Sequence, residues 1–102
     1  MTLGLDFNGV LSKNPNAFRK LMKHFDKTVI ISATKHPEQV RMSVKRLMIQ
    51  AEVVTLDFDN IREIPYAKLA ACRDNHVDIY IDDMEPVCTL LNRNNILCLR
   101  YG

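Results

Sequence analysis

No stretch of this chain stays apolar for the roughly 20 residues that crossing a bilayer requires. No charged leader precedes an apolar run, so no secretory signal is read at the N-terminus. No linker, low-complexity segment or repeat breaks the pattern. Cysteine is sparse. Cys72, Cys88 and Cys98 are odd in number and lack metal-ligand spacing. That argues against a disulfide framework or zinc site and predicts reduced, mostly buried thiols. A strong charge excess is lacking too. A net charge of +2 and a pI near 8.5 give no nucleic-acid signature. What remains is the expectation of a soluble, cytoplasmic protein with no membrane partner. At 102 residues, with 47% hydrophobic and 25% charged, residues 1–102 form one ordinary globular domain. That length buries one core and leaves little chain for a lid.

Short apolar runs alternate with helical periodicity. The predicted strands are Leu3–Asp6, Thr28–Ser32, Val53–Phe58, Val77–Asp82 and Ile96–Leu99. Each is short and apolar, as strands buried on both faces are. Helices fill the gaps. Asn14-Pro15 is a capping side chain followed by proline at the first helical position, and Phe18, Leu21, Met22 and Phe25 make one stripe. Pro37 opens a second helix with Val40, Val44, Leu47 and Met48 inward. Ile64-Pro65 opens a third with Tyr66, Leu69 and Ala70 inward. Glu85-Pro86 opens a fourth with Val87, Leu90 and Leu91 inward. Residues 59–63 read as a loop. This β-α alternation predicts an α/β, Rossmann-like, three-layer sandwich around a five-stranded parallel sheet.

In such sheets the carboxyl ends of the strands bind ligands. Asp6 and Asn8 follow strand 1, Ser32 and Thr34 end strand 2, and Asp82 and Asp83 end strand 4. Lys68 lies on the helix that leads into strand 4. Converging carboxylates repel unless a cation sits among them. A hard divalent ion such as magnesium (Mg2+), with oxygen ligands and a phosphate, resolves the conflict. A hydroxyl and a lysine can hold phosphate oxygens while a carboxylate attacks phosphorus.

These residues resemble the haloacid dehalogenase superfamily along essentially the whole chain. Leu5-Asp6-Phe7-Asn8-Gly9-Val10 is similar to its first motif, an apolar strand followed by Asp-x-Asp-Gly-Thr/Val. Val29-Ile30-Ile31-Ser32 is similar to the second, Lys68 fits the third, and Ile79-Tyr80-Ile81-Asp82-Asp83 resembles the acidic fourth. The resemblance implies strand order 5-4-1-2-3 and an Mg2+-dependent phosphatase working through an aspartyl-phosphate. It implies Asp6 as nucleophile and position 8 as general acid/base. Ser32, Ala33 and Lys68 would bind phosphate. Asp6, the Asn8 carbonyl and either Asp82 or Asp83 would hold the metal. The substrate would be a phosphorylated small molecule or macromolecule.

Two features depart from the family pattern. Asn8 stands where family phosphatases carry Asp, and an amide cannot shuttle a proton. General acid–base help is worth about 10²–10⁴-fold, so turnover is expected to be slowed while metal binding, through the carbonyl, survives. The alternative is a catalytically degenerate domain that binds phosphate, metal or another protein. The short loops also leave no room for a cap domain, which implies a large substrate or a homo-oligomer covering an open site. Asn8-Gly9 is a deamidation-prone pair, so some molecules are expected to carry Asp or isoaspartate at position 8.

Other residues have simpler readings. Thr34 rivals Ser32 and is equally suited to capping the helix at Pro37. Lys35 is a weaker phosphate ligand than Lys68. His24, His36 and His76 read as surface or turn residues. Asp57 and Asp59 should lie away from the centre. A receiver-like domain would use Asp57 as its acceptor, but only Arg100 is available where that fold expects a lysine.

Overall fold

The predicted strands all form and lie parallel in one sheet. The computed structural model describes residues 1–102. Its elements are β1 (Thr2–Leu5), α1 (Pro15–Met22), β2 (Lys27–Ala33), α2 (Pro37–Arg46), β3 (Glu52–Leu56), α3 (Ile64–Asp74), β4 (Ile79–Asp82), α4 (Glu85–Arg93) and β5 (Leu97–Arg100). The strand order is β3-β2-β1-β4-β5, the expected order read from the other edge. Parallel neighbours require crossovers, and the helices supply them. No helix is long and apolar enough to cross a membrane.

Strand alternation divides the apolar residues between two faces. Leu3, Leu5, Ile30 and Ile81 meet Phe18 of α1 and Val40 and Val44 of α2. Val29, Ile31, Tyr80 and Cys98 meet Leu69 and Cys72 of α3 and Val87 and Leu91 of α4. The result is an α/β/α sandwich. Between β1 and α1 the chain is only a turn and a helix cap, so no inserted domain covers the strand ends. Asn14 caps α1 as its sequence suggests: the Ala17 N–H donates to its Oδ1 at 3.4 Å, and Pro15 opens the helix.

Three helix assignments need correction. Met48 is 88% exposed, not inward. It lies past the end of α2, at φ 57°, where the left-handed turn swings it off the stripe. Tyr66 and Ala70 of α3 are also exposed; the buried face is Ile64, Pro65, Lys68, Leu69, Ala71 and Cys72. A lysine in the middle of the buried face breaks the apolar stripe that the sequence predicts. Residues 59–63 are not plain loop. Ile61–Glu63 form a 3-10 turn held by a capping box: Asn60 accepts from the Arg62 N–H at 2.9 Å, and Glu63 accepts from the Asn60 N–H at 3.0 Å.

Gly4, at the centre of β1, makes a long-range contact possible. The Tyr80 ring of β4 lies across it, and the Tyr80 hydroxyl donates to the Ile31 carbonyl of β2 at 3.0 Å. A Cβ at position 4 would sit 2.6 Å from Tyr80 Cδ1 and 2.9 Å from Val77 Cγ1. Both neighbours are packed in the core and have nowhere to move. Gly4→Ala is therefore expected to destabilise the fold by about 1–3 kcal/mol through overpacking. Urea unfolding would measure this, and a neutral result would show that the ring can move.

Candidate active site

Asp6 is the first residue past β1, at the carboxyl edge of the central strand. Its N–H donates to the Ile81 carbonyl at 3.0 Å, continuing the β1–β4 ladder and placing Asp6 beside Asp82. The backbone then reverses. Asn8 has φ −69° and ψ 125°, and Gly9 has φ 81° and ψ −5°. These are the central residues of a type II turn, whose second position needs glycine. The turn is anchored below by Val10 and Leu11, both fully buried. A Cβ at position 9 would also sit 2.2 Å from Asp83 Oδ2, so any other residue there would displace that carboxylate.

Lys68 ties the strand ends together. It rises from the buried face of α3, toward which Asp6 and Asp82 both point by strand alternation. Its Nζ donates to Asp82 Oδ2 at 2.6 Å and to Asp6 Oδ1 at 3.0 Å. Lys68, Asp6 and Asp82 are 2%, 6% and 0% exposed. Asp82 Oδ1 also accepts from the Met84 N–H at 2.9 Å, so both Asp82 oxygens are engaged. The Tyr80 ring lies below, its centroid 5.7 Å from Nζ. Carboxylate oxygens of Asp6, Asp82 and the less buried Asp83 lie within 4.8 Å of one another.

One ammonium thus faces three carboxylates, and the electrostatics record the imbalance. Burial, with Asp82 and Asp83 adding to it, pushes the Asp6 carboxyl from its ordinary 3.8 up to about 7, although Lys68 pulls it down. Burial also works against the Lys68 charge, but Asp6 and Asp82 outweigh it and hold the ammonium above its usual range. Burial pushes the Tyr80 hydroxyl well up, so it stays a neutral donor. The Cys72 thiol is pushed up to about 12, again by burial first. That makes it an inert neighbour.

Ser32 is 1% exposed at the end of β2, and its Oγ has no hydrogen-bond partner. A buried hydroxyl left unpaired costs about 1–3 kcal/mol. Thr34 does not compete for its place: Thr34 Oγ1 accepts from the His36 N–H at 2.9 Å and holds the turn into α2. Ala33 closes β2 opposite Leu56 of β3. The structure sets Lys35 apart from this centre, where it pairs with Asp57 at 2.7 Å. Asp59, His24, His36 and His76 are exposed. Cys72, Cys88 and Cys98 are free and buried. The Asn8 side chain is exposed and makes no hydrogen bond, while the Gly9 N–H donates to Ser12 Oγ at 3.0 Å. Sequence reading missed Tyr80 beneath the lysine, the Met84 N–H on Asp82, and the contact between Gly9 and Asp83. The first two carry no sequence signal beyond their place in an apolar strand and a turn.

The donor set fits a hard divalent cation. It is all oxygen, its negative charge exceeds the one ammonium, and it opens at the Asp83 side. No family model, curated protein or solved structure matches this chain. The fold and site define a Rossmann-like parallel α/β protein with a lysine-bridged acidic centre at the carboxyl edge of its sheet.

Two outcomes are expected from this geometry. With chelator present, the Asp6 carboxyl is neutral in both states below its ordinary 3.8, while up to about 7 only the unfolded chain ionises it. Its contribution to stability is therefore lost as pH rises through that window. Relative to Asp6→Asn, which keeps the acceptor for Lys68, wild type should be more stable at pH 5 than at pH 8, by roughly 1 kcal/mol or more. Urea titrations in EDTA at both pH values measure this, and the opposite sign would mean that pairing with Lys68 outweighs burial. Deamidation requires the Gly9 nitrogen to attack the Asn8 side chain. The Ser12 hydroxyl restrains that nitrogen, so Ser12→Ala should speed conversion at position 8 severalfold, read by peptide mass spectrometry of aged protein.

Proposed function

We propose that the protein is an Mg2+-dependent phosphohydrolase of the haloacid dehalogenase type, working from an open, capless site. The observation that carries this reading is the buried Lys68 ammonium, bridging Asp6 and Asp82 beside a third carboxylate. A structural ion pair would need neither Asp83 nor the unpaired Ser32 hydroxyl at the same sheet edge. Asp6, Asp83 and the Asn8 carbonyl would hold the ion. Asp82, with both oxygens already engaged, orients Lys68 and supports the site from behind. Bound Mg2+ offsets the carboxylate charge and polarises a phosphoryl oxygen.

The chain's own residues account for the remaining steps. The Ser32 hydroxyl, the Ala33 N–H and Lys68 bind the phosphoryl oxygens, which gives the orphaned Oγ a partner. The Asp6 carboxylate attacks phosphorus, and the bond to the leaving oxygen breaks. Lys68 neutralises charge developing on the equatorial oxygens. Water then cleaves the aspartyl-phosphate, releasing phosphate and restoring the carboxylate. Asn8 can orient a group by hydrogen bonding but cannot move its proton. The three free thiols support a cytoplasmic, reducing location.

Asn8 also supports a second reading, a degenerate domain that keeps phosphate and metal binding without turnover. One set of measurements separates the two. Mg2+ is expected to raise the melting temperature of wild type but not of Asp83→Asn. Wild type should hydrolyse a generic phosphate ester slowly, Asp6→Asn not at all, and Asn8→Asp faster by about 10²–10⁴-fold. Turnover in Asn8→Asp alone would favour the degenerate domain. No turnover in either, with no Mg2+ stabilisation, would sink both readings.

A further inference from the structure

A groove of about 640 Å³ runs between α3 and α4 and is not used by the chemistry described so far. That volume is within the usual range of small-molecule sites, about 300–1,000 Å³. It opens beside the acidic centre, because Met84 lines it and the Met84 N–H donates to Asp82 Oδ1 at 2.9 Å. Ile61 and Tyr66 form its wall, 69% and 67% exposed, large apolar surfaces left uncovered. Arg62 and Arg93 also line it, and no carboxylate lies within 4.0 Å of either guanidinium. The groove's acidic residue, Glu85, instead faces Arg100 at 3.6 Å. The occupant that fits is therefore anionic and carries a flat apolar ring.

Asn8 narrows the leaving group further. An alkoxide needs a proton as it leaves, and no acid stands at position 8 to supply one. A phosphate leaving group does not need it, since a phosphate monoester has a second pKa of about 6. Resting on the phosphohydrolase reading, we infer that the substrate is a nucleoside diphosphate. Its terminal phosphate sits at Asp6, Ser32 and Lys68, and its nucleoside monophosphate half occupies the α3–α4 groove. The inner phosphate, bonded to the terminal one, stays at the sheet edge beside Arg62, and the base lies farther along the groove between Tyr66 and the Arg93 guanidinium. The Asp6 oxygen bonds to the terminal phosphorus as the phosphoanhydride bond breaks. The electron pair leaves on the inner phosphate, and water later releases inorganic phosphate from Asp6.

Equilibrium binding to wild type with Mg2+ tests this without turnover. The probes are ADP carrying a methylene bridge in place of the anhydride oxygen, AMP and inorganic phosphate. The ADP analogue is expected to bind at least about tenfold tighter than inorganic phosphate, and Arg62→Gln combined with Arg93→Gln should remove that advantage. Tyr66→Ala should weaken the ADP analogue and AMP together. All three side chains are exposed, so these variants should fold, and the distant exposed Lys45→Gln serves as the control. On wild type with Mg2+, terminal phosphate should be released from ADP faster than from glycerol phosphate. Asn8→Asp should accelerate the glycerol phosphate reaction far more than the ADP reaction. If inorganic phosphate binds as tightly as the ADP analogue, or the double variant keeps the preference, the groove assignment falls while the phosphate site stands. If inorganic phosphate does not bind either, both fall.

Discussion

The buried Lys68 ammonium is the interaction on which the site depends. It is held between Asp6 and Asp82, at the ends of two neighbouring strands, with almost no access to water. Desolvating such a charge is expensive, and only close, hydrogen-bonded partners offset it. Without Lys68, Asp6 and Asp82 would repel across β1 and β4. Without the two aspartates, an ammonium could not remain on the inner face of α3. The position of α3, the register of β4 against β1 and the burial of Asp6 are therefore linked by one charge balance. Asp83 leaves that balance negative, which is the physical basis for proposing a cation at the open side.

The layer beneath is shaped by what is missing from β1. Gly4 gives the Tyr80 ring a path across the central strand to the Ile31 carbonyl of β2. The ring then forms an apolar floor under Lys68 and lowers the local dielectric. That strengthens the ion pairs, while burial of the whole centre pushes the Asp6 carboxyl up. Above, Gly9 lets the turn press against Asp83. Two of the few glycines in the chain thus shape the floor and roof of one site, Gly4 by a close approach and Gly9 by its left-handed backbone.

Much of the fold was legible because the chain obeys simple periodicities. Val29–Ser32 and Ile79–Asp82 are short apolar runs flanked by helical stripes, and the alternation leaves few topologies. Asp6, Ser32, Asp82 and Asp83 could be placed at one sheet edge because strand ends in a parallel sheet share an edge. Lys68 was less legible: a lysine in a helix is ordinarily on the surface, and its burial moved the apparent apolar stripe of α3 onto Tyr66 and Ala70. The same effect hid Tyr66 as a groove wall. Met48 failed for a different reason, since its left-handed backbone interrupts the helical period.

What the sequence determined by itself is the order of elements, the parallel sheet and the set of chemical groups at its carboxyl edge. Local patterning encodes these through apolar spacing, caps and turn residues. Tertiary structure alone decided how those groups divide their work. Asp82 is fully engaged by Lys68 and the Met84 N–H, Asp83 is left open, Thr34 is spent on the turn, and the Ser32 hydroxyl has no partner. The bonds to Thr34 and from Met84 are local to their turns, but the Lys68 pairing and the isolation of Ser32 depend on elements far apart in the chain, and no periodicity records which lone pair is already occupied.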